Sequence, residues 1–203
     1  MKIAIINGSH RKDAQSAKVA GFLQQLLTDK QLADEVYRFD LTDNPIPLWD
    51  QGIWDGDERW QELLGPISLE LDSSDGFIVI APEWHGMVPS GLKNFFLMWG
   101  KGELAHKPAL ITAVSSATGG AYPVAELRMS SYKNNRICYI PEQLIIRDVE
   151  NVLNEDGPND PEADSYYRGR AEFALNVLCK YAAALQPMRA AGDLFNPDFK
   201  NGM

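Results

Sequence analysis

The chain has 203 residues, of which 45% are hydrophobic and 10% aromatic, so it can bury a core as one domain of ordinary size. Its net charge of −9 argues against nucleic acid and against an anionic membrane surface as partners. The two cysteines, Cys138 and Cys179, form no CxxC pattern and are typical of reduced thiols. The chain begins directly with a strand pattern and contains no apolar run of membrane length. We therefore expect a cytoplasmic protein without a signal peptide.

The first strand and the turn after it organise the interpretation of the chain. Residues 3–6 form a continuous apolar run, as in a central parallel strand that is covered on both faces. A helix is predicted over 15–29, and its N-terminus attracts anions because its first amides are unpaired. Four polar side chains suited to a phosphate crowd this turn: Ser9, Arg11, Gln15 and Ser16. The turn is either an anion site or an ordinary capped strand-to-helix connection.

The middle of the chain continues the alternation of strands and helices. A short edge strand is predicted at 35–39, followed by a loop over 40–56 that contains Trp49 and Trp54. This loop is too long and too aromatic for a connector, so we expect it to cover a site or a partner surface. A helix is predicted over 57–71, interrupted or restarted near Gly65-Pro66, and a third strand over 77–80.

Two more turns resemble the first in their richness of Gly, Pro, Ser and aromatic residues. The second, residues 81–89, precedes a helix in which Leu92, Phe95, Phe96 and Trp99 form one apolar face. A fourth strand over 108–114 leads to the third turn, residues 115–121. The pattern continues with a helix over 123–133 and a strand over 143–147. It ends with an acidic loop over 154–164, a helix over 164–186 and a tail from about 187.

This alternation predicts a doubly wound five-stranded parallel sheet of order 2-1-3-4-5, with helices on both faces, in a single domain over 1–203. In that order the turns after strands 1, 3 and 4 meet at the switch point, where ligands bind. The first turn is suited to a phosphate. In the third turn, Gly119 and Gly120 allow the backbone to approach a flat ring closely. A phosphate and a heteroaromatic ring together describe a mononucleotide such as FMN.

Competing motifs are missing from the sequence. There is no GxxxxGK[ST] for a nucleoside triphosphate, no GxGxxG after strand 1 and no GxSxG elbow. The three histidines show no metal-ligand spacing, so we expect no metal site. No acid–base pair or nucleophile stands out, and we assign no catalytic residue.

At its turns the sequence resembles the NADPH-dependent FMN reductase family, which has the flavodoxin-like fold. The family pattern GSxRxxSxNxxLA corresponds to Gly8-Ser9-His10-Arg11 and Val19-Ala20. The pattern PEYNxSxPxxLKNxxDW corresponds to residues 82–89, Leu92-Lys93-Asn94 and Trp99. The resemblance covers most of residues 1–147. Ala14 replaces the usual Ser, Ser16 the usual Asn, and Trp84-His85 the usual Tyr-Asn.

The resemblance implies a role for each matching turn. Ser9, Arg11 and Ser16 would hold the FMN phosphate. Pro82, Glu83, Trp84, His85 and Gly86 would line the isoalloxazine, with Ser115, Gly119 and Gly120 near its other edge. Family members are commonly homodimers or homotetramers. The helix with Phe95, Phe96 and Trp99 is then either partly interface or plain core.

The leading hypothesis is an FMN-dependent oxidoreductase that takes electrons from NADPH or NADH. It would pass them to a small-molecule acceptor: a quinone, an azo compound, a metal oxyanion or free flavin. The alternative is a flavodoxin-like FMN-binding electron-transfer protein without nicotinamide turnover. A third possibility is a related protein whose altered phosphate loop binds no FMN.

Overall fold

The strands lie where the apolar runs of the sequence predict them. The computed structural model describes residues 1–202, and five parallel strands within that range form one sheet. They are β1 (Lys2–Asn7), β2 (Glu35–Asp40), β3 (Gly76–Pro82), β4 (Pro108–Val114) and β5 (Cys138–Ile146). Their order across the sheet is β2-β1-β3-β4-β5, which confirms the predicted order and fold class. In this register Ala4 of β1 lies between Tyr37 of β2 and Phe77 of β3.

Helices cover both faces of the sheet. Within the described residues they are α1 (Gln15–Asp29), α2 (Gly52–Asp55), α3 (Glu58–Asp72), α4 (Ser90–Met98), α5 (Ala121–Met129) and α6 (Pro161–Ala190). Ile3 and Ile5 of β1 pack in one core with α1 and α6, whereas Ala4 and Ile6 pack in the other with α3, α4 and α5. Burial on both faces explains why β1 is apolar at every position. None of the helices in residues 1–202 combines the length and the apolar character that crossing a membrane requires.

Two helices continue through prolines that were expected to interrupt or end them. α3 is unbroken at Pro66, and α6 begins three residues earlier than predicted and runs past Pro187 to Ala190. Both proline side chains are exposed, so water can replace the hydrogen bond that each proline removes from the helix. At the start of α6, Asp160 accepts the amides of Glu162 and Ala163 and thereby caps the helix.

The two elements on either side of residues 130–137 also differ from the prediction in their bounds. α5 ends at Met129, before the predicted 133, and β5 begins at Cys138, before the predicted 143. β5 contains Pro141, which is tolerated because β5 is an edge strand and Pro141 is exposed there. The β4–β5 register shifts between Ala109 and Ile111, so the early part of β5 pairs irregularly. The sequence therefore predicts only the later, regular part of β5, because an irregularly paired segment has no regular apolar pattern.

Candidate functional site

The three predicted turns meet at the carboxyl ends of β1, β3 and β4. The first turn joins the end of β3, because Gly8 N–H donates to the Ile80 carbonyl at 2.9 Å. A Cβ at Gly8 would lie 2.6 Å from both Ile80 O and Leu92 Cδ2, so only glycine fits this close approach. The His10 and Trp84 rings meet edge to face at 4.5 Å between centroids and join the first turn to the second. The Glu83 carboxylate accepts Gly120 N–H and joins the second turn to the third.

The first turn leaves the N-terminus of α1 open. Ala14 occupies the N-cap position without a capping side chain, and no acidic residue lies in the first turn of the helix. The backbone amides of residues 12–16 have no acceptor within residues 1–202. By contrast, α3 and α6 begin at Asp57 and Asp160, whose carboxylates accept helix amides. An anion is therefore accommodated better at α1 than at those two capped termini.

The side chains of the first turn divide into buried and exposed groups. Ser9 and Ser16 are both 1% exposed. Ser9 Oγ accepts Arg11 N–H at 3.4 Å, whereas Ser16 Oγ has no hydrogen-bond partner within the described chain. A buried hydroxyl without a partner is costly, so Ser16 is suited to an external acceptor. Arg11 and Gln15 are exposed at the same turn, and Arg11 forms no ion pair with a described residue.

The second turn is a tight reversal held from both ends. Trp84 and Met87 exchange backbone hydrogen bonds of 3.0 and 2.9 Å. His85 and Gly86 between them have positive φ angles of 50° and 73°, as in a type I′ turn. Their own amides have no acceptor within residues 1–202, so the tip of the turn presents two free donors. Pro82, the last residue of β3, pairs in register with Val114 of β4.

Glu126 of α5 supports this turn from behind. Its carboxylate accepts Val88 N–H at 2.8 Å and pairs with Lys93 Nζ. Burial raises the pKa of Glu126, but the hydrogen bonds from Lys93 and Val88 outweigh it and leave the pKa below its ordinary value. The carboxylate is therefore charged at neutral pH and holds the turn and α4 together.

The third turn is shaped by Ser115 and the two glycines. Ser115 is buried, and its hydroxyl oxygen accepts Ala117 N–H at 3.2 Å, so this side chain serves the turn itself. Gly120 has a φ of 99°, and a Cβ there would lie 2.4 Å from Ile145 Cγ2. The amides of Ser116 and of residues 118–119 have no acceptor within residues 1–202. This turn also presents free backbone donors.

Sequence reasoning missed two aromatic residues beside the turns. The spacing of the histidines assigns no role to His10, yet its Nε2 is buried without a partner in the described chain. Tyr122 is exposed and lies beside the second turn, where a Cβ at Gly86 would be 3.8 Å from Tyr122 Cδ2. Its position two residues after Gly120, at the end of the third turn, is the signal that identifies it.

The aromatic loop lies along α4. Trp49 N–H donates to Asn94 Oδ1, and Asn94 Nδ2 donates to the Pro47 carbonyl, both at 2.8 Å. Asn94 therefore anchors this loop. Trp49 and Trp54 line a groove of about 720 Å³ between α4 and α5, to which the second turn contributes only Val88. Phe95, Phe96 and Trp99 are buried in the core, as one of the two interpretations expected, whereas Leu97 is 63% exposed.

The fold and the turns define the class of protein. It is a flavodoxin-like α/β protein whose open helix N-terminus, unpartnered Ser16 hydroxyl and free turn amides fit a phosphate-bearing cofactor. The model of the NADPH-dependent FMN reductase family matches residues 1–151, and the chain belongs to this family. It is an NAD(P)H-dependent oxidoreductase, and its cofactors are FMN and NAD(P)H.

Relatives with named activities are similar over much of the chain. The 2-hydroxy-1,4-benzoquinone reductase of Burkholderia sp. is 28% identical over 196 residues, which cover 93% of this chain and 98% of that protein. The NADPH azoreductase of Bacillus sp. (strain OY1-2) is 26% identical over 148 residues, covering 72% and 76%. The solved structure of FerB, a flavoenzyme NAD(P)H:(acceptor) oxidoreductase from Paracoccus denitrificans, has a TM-score of 0.71 at 20% identity and covers 91% of this chain and 98% of its own. This structural similarity supports the assignment of the fold.

Proposed function

We propose that the protein passes electrons from NADPH or NADH through FMN to a quinone or an azo compound. The convergence of three turns with unpaired donors at the switch point is the observation that carries this proposal. The acceptor class rests on the two relatives named for benzoquinone and azo reduction. Bound FMN supplies the redox chemistry by accepting a hydride and releasing electrons to the acceptor.

In this proposal the first turn holds the phosphate of FMN. The amides of residues 12–16 and the hydroxyl of Ser16 donate to its oxygens, and the exposed Arg11 opposes its charge. Ser9 shapes the turn by accepting the Arg11 amide and lies next to the same site, with Gln15 on the exposed side. Local donors thus outweigh the net charge of −9 for the whole chain.

The second and third turns hold the ring in the same proposal. The free amides of His85 and Gly86 and those of the third turn donate to polar atoms at the ring edges. Pro82, Trp84 and the glycines Gly119 and Gly120 provide close, flat contact. Glu83 and Ser115 support this surface through the hydrogen bonds that they already make within the protein.

Anaerobic reduction tests the proposal. Protein reconstituted with FMN is mixed with NADPH or NADH while the absorbance of oxidised flavin is followed, and a quinone or an azo dye is then added. Bleaching by the nicotinamide and stoichiometric return of colour with the acceptor support the proposal. A flavin band that persists in excess NADPH and NADH would instead match an electron-transfer protein without nicotinamide turnover. Bleaching without reoxidation by either acceptor would refute the acceptor class alone.

We also propose that the chain forms a homodimer or homotetramer through α4 and α5. Leu97 on α4 and Trp54 on the aromatic loop line the groove and are 63% and 77% exposed. Met129 at the end of α5 is 79% exposed and directly precedes the lining residue Ser130. Exposed apolar residues that flank one groove favour an interface between copies. Light scattering should therefore detect an assembly, and Leu97→Glu should reduce it to monomers, whereas the exposed Leu69→Glu on α3 should not. A monomeric unaltered chain would refute this part.

A further inference from the structure

A single peptide group in the third turn is held by two charged side chains. Gly120 N–H donates to Glu83 Oε2, and the carbonyl of Gly119, at the other end of the same peptide, accepts Arg147 Nε–H at 2.8 Å. Glu83 directly follows β3 and Arg147 directly follows β5. The turn itself follows β4, which lies between those two strands. The two side chains therefore reach the peptide from opposite sides.

The surroundings leave this peptide little freedom. A Cβ at Gly119 would lie 2.8 Å from Glu83 Oε1, and a Cβ at Gly120 would lie 2.4 Å from Ile145 Cγ2. Arg147 is itself anchored, because its backbone N–H donates to the Tyr167 hydroxyl at 3.2 Å. The peptide is thus packed against Glu83 and Ile145 and is bonded at both its N–H and its C=O.

The contacts of this peptide determine which donors the turn presents. Because Gly120 N–H is already bonded, it is not free for a cofactor. The amides of Ser116, Thr118 and Gly119 have no acceptor among residues 1–202. The Gly119 N–H lies on the same residue as the held carbonyl, so fixing the Gly119–Gly120 peptide fixes the orientation of that peptide relative to the free Gly119 amide.

We propose that Glu83 and Arg147 are positioning residues that hold the Gly119–Gly120 peptide beside bound FMN, and that their opposite charges offset each other in the reduction potential of FMN. This inference rests on the proposed function of the three turns. FMN gains negative charge on reduction, so a nearby carboxylate disfavours the reduced form and a nearby guanidinium favours it. With both present the charges largely compensate, and the turn keeps its geometry without a net charge. Removal of either side chain leaves the other charge uncompensated.

The first measurement uses the full chain without FMN. The amide proton of Gly120, which bonds to a carboxylate, should be protected from exchange with solvent and should resonate downfield in an NMR spectrum of ¹⁵N-labelled protein. Glu83→Ala should abolish both properties, and Glu83→Gln, which keeps an acceptor oxygen, should retain part of the protection. An unprotected Gly120 amide in the unaltered chain would overturn the assignment, whatever the protein does with FMN.

The second measurement is the reduction potential of bound FMN, obtained by equilibration with a reference dye. Glu83→Gln should raise the potential and Arg147→Gln should lower it, whereas Arg147→Lys should restore most of the original value. Each shift should be at most about 30 mV. For a two-electron couple this corresponds to a tenfold change in the ratio of the affinities for reduced and oxidised FMN. Glu62→Gln and Arg168→Gln make the same charge changes at exposed sites on α3 and α6 and should leave the potential unchanged.

The direction of the shifts separates an effect of the two charges on bound FMN from general stabilisation of the turn. Opposite shifts in the two Gln variants support the proposal. Shifts of the same sign, or none, in variants that still bind FMN would overturn it and leave the proposed function intact. Failure of the unaltered chain to bind FMN would overturn the proposed function and this assignment together. Arg147 is exposed, so its variants should fold even where those of Glu83 do not.

Discussion

Loss of the Ser16 hydroxyl should stabilise the protein without FMN and weaken its binding of FMN. Ser16 is 1% exposed, and its Oγ has no partner in the described chain. A buried polar group without a partner costs about 1–3 kcal/mol, and Ser16→Ala removes that cost. Taking about 1 kcal/mol, we expect the melting temperature of the FMN-free variant to rise by roughly 2–4 °C for a chain of this size.

The effect on FMN should have the opposite sign. A hydrogen bond to a charged group contributes about 1.5–3 kcal/mol, so losing the bond from Ser16 to the phosphate should raise the dissociation constant of FMN by roughly 10- to 150-fold. Quenching of flavin fluorescence on binding measures this constant, and circular dichroism measures the thermal transition of the FMN-free chain.

Ser74→Ala is the matched control. Ser74 is equally buried, but its hydroxyl donates to the Glu70 carbonyl at 2.8 Å. We expect this variant to lose about 1 kcal/mol of stability and to bind FMN normally. If Ser16→Ala destabilises the FMN-free protein as Ser74→Ala does, or if it leaves FMN affinity unchanged, the assignment of Ser16 to the phosphate is refuted.

Two further predictions concern charged residues. Arg11→Ala should weaken FMN by about 1.5–3 kcal/mol, and the loss measured by the same titration should shrink in high salt because Arg11 is exposed; an unchanged affinity would remove Arg11 from the phosphate site. Burial lowers the pKa of Lys107 from 10.5 to about 8, so the native chain releases this proton at a lower pH than the unfolded chain. The advantage of the unaltered chain over Lys107→Met in free energy of unfolding should therefore grow with pH, by at most about 1.4 kcal/mol per pH unit above about pH 8. Denaturant titrations of both proteins measure this difference, and a difference independent of pH between about 7 and 10 would contradict it.

The parts of the fold that depend on local pattern were predictable from the sequence. The unbroken apolar run of β1 requires cover on both faces, and the alternation of elements then leads to the observed strand order. Helix ends at prolines were predicted wrongly, because whether Pro66 or Pro187 breaks a helix depends on the solvent around the freed carbonyl. That environment is a tertiary property and has no local signature.

The candidate site was also predictable from the sequence only in part. The turns were identified from their Ser, Gly and Pro content, and their proximity followed from the strand order. The hydrogen bond from Gly120 to Glu83 was not predictable, because the two residues lie 37 positions apart and no pattern pairs them. Glu83 was expected to line the ring, and the structure shows that its carboxylate is occupied by the third turn. Only the folded geometry distinguishes a residue that contacts a ligand from one that supports the contact.

The two departures of the phosphate turn from the family pattern acquire a physical meaning in the structure. Compared with the family pattern, Ala14 and Ser16 predict that two of the phosphate donors are weaker or shorter. A serine at the N-cap would satisfy one of the first helix amides with its own side chain, whereas Ala14 leaves those amides unpaired. Ser16 is shorter than asparagine, yet its hydroxyl lies buried at the same helix end without a partner. Backbone donors and one unpartnered hydroxyl can therefore replace the missing side chains, and the cost of leaving them unpaired favours binding of an anion there.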